Sequence, residues 1–174
     1  MAREATPRDT VAMPITVRPL AATDWPSLWR LWHHTDDPEP VARDRFRDLL
    51  TDGRWGMFGS VTDAGRLTGY AAVQDHGPHW RTGDHHRVAR FHDLYVAEAD
   101  RRTGAGRALV AAVVEWAATR VRYLEWQAHH ARAAPFYERL GYRGDPCPQP
   151  DYPHFEIDFR AGGGHPTTPD TASR

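Results

Sequence analysis

The chain has 174 residues, 40% hydrophobic and 26% charged, the balance of a single soluble globular domain. Its 22 basic and 23 acidic residues leave a net charge of −1, so no overall field draws nucleic acid or an anionic membrane. Every basic residue is Arg, which excludes a lysine Schiff base, and the single Cys147 excludes an internal disulfide and a cysteine metal cluster. No apolar window approaches a membrane span, so a cytoplasmic protein is expected, with a homodimer left open.

Residues 1–14 are polar and unpatterned and read as a disordered arm. Nothing in 161–174 (AGGGHPTTPDTASR) can pack, so that tail reads the same way and 15–160 is the folded unit. Ile15–Leu20 alternates as a strand. Asp24 stands where it would cap a helix whose Trp25, Leu28, Trp29, Leu31 and Trp32 share one side. Asp36-Asp37-Pro38 breaks that helix, and Val41, Phe46, Leu49 and Leu50 mark a second. Trp55–Val61 and Leu67–Val73 are strands joined by a polar loop carrying Gly65. Residues 74–89 form a long polar loop, and Arg90–Val96 is the next strand. Leu109, Ala112, Val113, Trp116 and Ala117 then recur at helical spacing. Tyr123–Ala128 is a strand, followed by a short helix with Ala133, Phe136, Tyr137 and Leu140 on one face and Gly141 just past its end. Phe155, Ile157 and Phe159 alternate with His154, Glu156 and Asp158 in a last strand. The order β-α-α-β-β-β-α-β-α-β is mixed α/β, a meander followed by a β-α-β crossover.

Chemistry concentrates between the Val96 strand and the long helix, in Arg101-Arg102-Thr103-Gly104-Ala105-Gly106-Arg107. Two glycines one residue apart let backbone approach a ligand, and the N–H groups of the helix's first turn with its macrodipole attract an anion. Arg101, Arg102 and Arg107 add positive charge, so a phosphate or pyrophosphate is the expected guest. The string is neither the G-x-G-x-x-G of a dinucleotide fold nor a P-loop, which needs a lysine.

The Arg101-x-x-Gly104-x-Gly106 pattern resembles the acetyl-CoA loop of the GNAT N-acetyltransferases. Some thirty residues on, Ala134-Pro135-Phe136-Tyr137-Glu138-Arg139-Leu140-Gly141-Tyr142 resembles a second segment of that superfamily. The resemblance implies a central mixed, mostly antiparallel twisted sheet flanked by helices, its fourth and fifth strands splayed around acetyl-CoA. It implies that Leu94, Tyr95 and Val96 pair with the pantetheine arm and that the amides from Arg102 to Arg107, Thr103 and Ala105 among them, hold the pyrophosphate. Tyr137 matches a tyrosine that protonates the leaving thiolate; the competing reading is that it packs in the helix's apolar face beside Phe136. Many relatives carry Asn seven residues before that tyrosine, where this chain has His130.

Acyl transfer needs a free amine, yet an alkylammonium of pKa near 10 is only about 0.3% neutral at pH 7.5, a deficit of roughly 3.5 kcal/mol. His92 and Asp93 are the candidate bases on the strand before the loop, and period-2 geometry puts them on opposite faces. His92 has the pKa for the work, and Asp93 is the reserve or orients a substrate ammonium. Related polyamine-type enzymes carry acidic residues in this stretch, and aralkylamine-type enzymes a histidine at the His92 position. The eleven histidines crowd at His76, His79, His85 and His86, but adjacent histidines do not readily face one ion, so no metal is expected. That loop, with His79 and Trp80, is expected to shape the acceptor site, as is Trp55. Trp25, Trp29, Trp32 and Trp116 are expected in the core. The expected reaction is acetyl transfer to a small primary amine such as a polyamine, an amino acid or an amine-bearing antibiotic. Acetylation of a protein N-terminus or lysine, and a non-catalytic acyl-CoA sensor, are the alternatives.

Overall fold

The computed structural model describes residues 15–32 and 36–160, so the two expected disordered ends lie outside the described residues. The elements are β1 (Ile15–Pro19), α1 (Trp25–Leu31), α2 (Glu39–Thr51), β2 (Trp55–Thr62) and β3 (Leu67–Asp75). They continue as β4 (Val88–Val96), α3 (Ala105–Ala118), β5 (Tyr123–Gln127), α4 (Ala134–Arg139) and β6 (His154–Asp158). This is the order that periodicity predicts, with β4 starting two residues early and Phe159 packing just beyond β6.

The six strands form one open sheet in the order β1-β2-β3-β4-β5-β6. All neighbours are antiparallel except β4 and β5, which are parallel. That parallel ladder is short: Val88, Ala89 and Arg90 face Tyr123, Leu124 and Glu125, and there it stops. From Phe91 to Val96, β4 pairs with β3 alone and the two central strands part.

Both faces of the sheet are covered, and alternation along β3 supplies each face in turn. Ala71 and Val73 join Leu109, Val113, Leu124, Trp126 and Phe155 in a core with α3 and α4. Tyr70 and Ala72 join Trp25, Leu28, Ala42 and Phe46 in a second core under α1 and α2. Leu28 and Phe46 are essentially sealed, and burial on that scale contributes roughly 1.5–3 kcal/mol for each side chain.

Three local readings change. Asp24 holds the N-cap position of α1, but its side chain bonds no N–H of that helix: its carboxylate accepts from Arg18 at 2.7 Å twice and from the Ala21 N–H at 2.8 Å, closing a 3-10 turn over Ala22–Asp24. Val41 is 48% exposed, because α2 turns Ala42 and Phe46 inward and position 41 lies a hundred degrees off that stripe. In α3 the buried stripe is centred on Leu109, Val110, Val113, Val114 and Ala117, leaving Ala112 and Trp116 half-buried at its border.

Candidate active site

At the far end of β4 the chain enters α3 through a strained loop. Arg102 and Gly104 both have positive φ, 65° and 95°, and Gly104 is the N-cap of the helix. The Thr103 hydroxyl donates to the Asp100 carbonyl at 2.6 Å. Arg66 grips the Asp100 carboxylate with two bonds of 2.7 and 2.8 Å, which holds that carboxyl below its usual range and anchors the loop on the β2–β3 turn. From Arg102 to Arg107, six consecutive backbone N–H groups find no acceptor among the described residues; the first satisfied one is Ala108, bonded to the Gly104 carbonyl at 3.0 Å. Such a run at a helix N-terminus is an anion cradle.

The two glycines serve different ends. A Cβ on Gly104 would meet nothing, so its φ is what calls for glycine. A Cβ on Gly106 would lie 3.1 Å from Phe136 Cζ, so its bareness lets α4 pack on α3 rather than admitting a ligand.

Two residues beyond Arg90, where its ladder with β5 stops, β4 is irregular. Ala72 faces Asp93 and Val73 faces Phe91, leaving His92 as an extra residue, a β-bulge. The bulge resets the alternation: Phe91, Leu94 and Val96 pack toward α3 and α4, while His92, Asp93 and Tyr95 face α1 and α2. His92 and Asp93 therefore share a face, contrary to strict period-2 counting. The His92 ring stacks on Trp55 at 5.1 Å and 24°. Its Nε2 lies 3.1 Å from Gln74 Oε1. A bond to that oxygen calls for the tautomer with the proton on Nε2 and the lone pair on Nδ1. Burial lowers the His92 pKa below its ordinary value; Asp93 opposes this, while Arg90 and His76 reinforce it.

These two side chains line a cavity of about 150 Å³ between the sheet and the first two helices. Leu28 and Trp32 come from α1 and its end, Arg45 and Leu49 from α2, Trp55 and Met57 from β2, and Tyr70 and Ala72 from β3. Asp93 makes no ion pair among the described residues. Its charge is felt by two phenols: burial first and Asp93 second push the hydroxyls of Tyr70 and Tyr137 well above the usual tyrosine range. Tyr137, on α4, is 5% exposed, and its ring packs against Trp126 at 5.3 Å, Phe155 at 5.5 Å and Phe91 at 6.3 Å.

Other expected site residues lie elsewhere. His130 ties the β5–α4 connection to Asp151: its N–H donates to the Asp151 carbonyl at 2.8 Å, and its Nδ1 lies 3.2 Å from the same oxygen. His79 and Trp80 do not line the cavity. They sit in a small hairpin closed by His79–Gly83 bonds of 2.8 and 3.0 Å, with Trp80 81% exposed under the Arg81 guanidinium. His85 contacts Arg122 and Arg160 at 3.2 and 3.0 Å, so this loop packs on the start of β5 and the end of β6. No group of three His, Cys, Asp or Glu side chains among the described residues is placed to hold a metal. A larger concavity of about 400 Å³ lies between β1, β2 and α3, lined by Val17, Phe58 and Trp116 and by no residue of β4 or the cradle. Tyr70, Arg45 and Met57 line the cavity and Gln74 bonds His92, all positions that sequence patterns read as plain strand or helix.

The sequence profile of the acetyltransferase (GNAT) family matches residues 18–142. The chain belongs to the GNAT acetyltransferase family. It is accordingly an acyltransferase, and its acyl donor is acetyl-CoA. Solved GNAT structures share its fold. A chimeric spermidine N-acetyltransferase from Vibrio cholerae is 14% identical, with a TM-score of 0.66 over 84% of this chain and 96% of that one. An aminoglycoside 6′-N-acetyltransferase from Acinetobacter baumannii is 18% identical, with a TM-score of 0.63 over 75% and 91%. An N-acetyltransferase from Thermoplasma acidophilum in complex with coenzyme A is 12% identical, with a TM-score of 0.63 over 84% and 99%. No curated protein is significantly similar to this sequence. No helix among the described residues of this GNAT chain is long and apolar enough to cross a membrane.

Proposed function

We propose that this chain transfers an acetyl group from acetyl-CoA to the primary amine of a small molecule by direct attack. The observation that carries the reading is the convergence on one cavity of His92 and of Asp93, which makes no ion pair among the described residues, beside the point where β4 and β5 part. Acetyl-CoA supplies an activated thioester. The six free N–H groups from Arg102 to Arg107, with Arg101, Arg102 and Arg107 beside them, suit its pyrophosphate, and the β4 edge at Leu94, Tyr95 and Val96 suits its pantetheine amides.

Asp93 holds the acceptor ammonium. His92 Nδ1 takes one proton from the ammonium, freeing the nitrogen lone pair that then attacks the thioester carbonyl, a role open to it because burial favours the neutral ring. As the C–S bond breaks, Tyr137, whose ionisation burial and Asp93 both oppose, gives its proton to the departing thiolate and regains one from the second proton leaving the attacking nitrogen. A cavity of about 150 Å³ favours a small acceptor over a protein N-terminus or lysine.

The test is an acetylation assay reading CoA release with mass detection of product, run on small primary amines beside peptides offering an N-terminus or a lysine. The expected result is an N-acetylated small amine. Acetyl-CoA binding without turnover of any amine would mean a sensor, and peptide products alone would mean a protein acetyltransferase.

A further inference from the structure

We infer that the acceptor is a primary monoamine carrying one aromatic ring, bound with the ring between α1, α2 and the sheet and the ammonium at Asp93. This deepens the proposed transferase reading and rests on it. Size is the first argument: an apolar cavity of about 150 Å³ is the scale that holds one benzene-sized ring. Lining is the second. Trp32, Trp55 and Tyr70 present aromatic surface and Leu28, Leu49 and Met57 apolar surface, a wall that favours ring-on-ring contact.

Charge decides the rest. Among the described lining residues the carboxylate is Asp93 alone, and the other charged group, Arg45, donates from Nη2 to Asp37 at 2.5 Å. One ammonium is therefore matched. A second ammonium, as in a polyamine or an aminoglycoside, would sit against Leu28 and Met57 or face Arg45, and a charge desolvated without a partner is costly. An α-amino acid fails differently, because its carboxylate would stand beside Asp93 with the amine. The aromatic monoamine leaves no charge unmatched.

The experiment compares 2-phenylethylamine, spermidine, phenylalanine and kanamycin, by calorimetric binding to the protein and by kcat/KM with acetyl-CoA. The prediction is that 2-phenylethylamine exceeds each of the others at least tenfold in kcat/KM and binds most tightly. Leu49→Glu, which places a second carboxylate on the half-buried wall, should raise the spermidine to 2-phenylethylamine ratio at least tenfold. Preference of the wild type for spermidine, phenylalanine or kanamycin would overturn the aromatic-monoamine assignment and leave the transferase reading standing. Tight 2-phenylethylamine binding without acetylation of any amine would uphold the cavity assignment and overturn the transferase reading. No binding and no acetylation would overturn both.

Discussion

The two ends of β4 are built from different material. Beyond Val96 lie six backbone N–H groups, from Arg102 to Arg107, that find no acceptor among the described residues, with the Arg102 and Arg107 side chains exposed beside them. At the bulge, four residues earlier along the strand, the site is side chain: Asp93, His92 and a wall assembled from α1, α2, β2 and β3. A backbone cradle binds any phosphate of the right shape and tolerates substitution around it. A side-chain cavity changes with every residue on its wall. On the proposed reading, donor recognition and acceptor choice are physically separable, and one strand carries both.

The sharpest way to break that separation lies between the two ends. Tyr137→Phe keeps a ring packed on Trp126, Phe155 and Phe91 and deletes one hydroxyl. If Tyr137 is the acid, kcat should fall by about a hundredfold while acetyl-CoA affinity and thermal stability hold. Stopped-flow rates with calorimetric affinity check this, and an unchanged chemical step would return Tyr137 to the core.

A smaller effect sharpens the comparison at the cradle. Arg107 is exposed in the first turn of α3, where an acidic residue favours the helix dipole. Arg107→Glu should weaken acetyl-CoA binding by roughly tenfold through charge reversal near the pyrophosphate, yet leave the melting temperature equal or higher. Arg107→Ala should cost only about threefold, because the amides remain. Equal and large losses from both variants would show that side chains, not backbone, hold the donor.

The difference in material also explains what the sequence makes legible. Arg101 to Arg107 is one contiguous string opening an amphipathic helix, so its chemistry can be read in a line, and the element order follows from periods of 2 and 3.6. The role of Gly106 was hidden because its neighbour Phe136 is thirty residues away and contact needs the folded α3–α4 packing. The bulge was hidden too: Phe91-His92-Asp93-Leu94 carries no glycine or proline to announce it, and its consequence flips which residues share a face. The cavity wall was the least legible. Leu28, Trp32, Leu49, Met57 and Tyr70 each read as core residues in their own element, and only the packing of five elements leaves a space among them. Crowding in sequence does not place a residue on the cavity, since His79 and Trp80 lie in a hairpin closed by His79 and Gly83.

The shared face of His92 and Asp93 is the central claim, and the pH dependence of kcat/KM in wild type, His92→Ala and Asp93→Asn tests it most directly. His92 acts as a base only when neutral, so the wild-type rate should rise with pH through an ionisation below 6.5, where burial places it. His92→Ala should erase that limb and lose roughly a hundredfold at neutral pH, with the loss shrinking as the substrate amine itself becomes neutral. Asp93→Asn should keep the limb and move it lower still, because Asp93 is the neighbour that raises the His92 pKa, and should raise KM for the amine. A wild-type profile retained in His92→Ala, or a limb that Asp93→Asn leaves unmoved, would contradict the account.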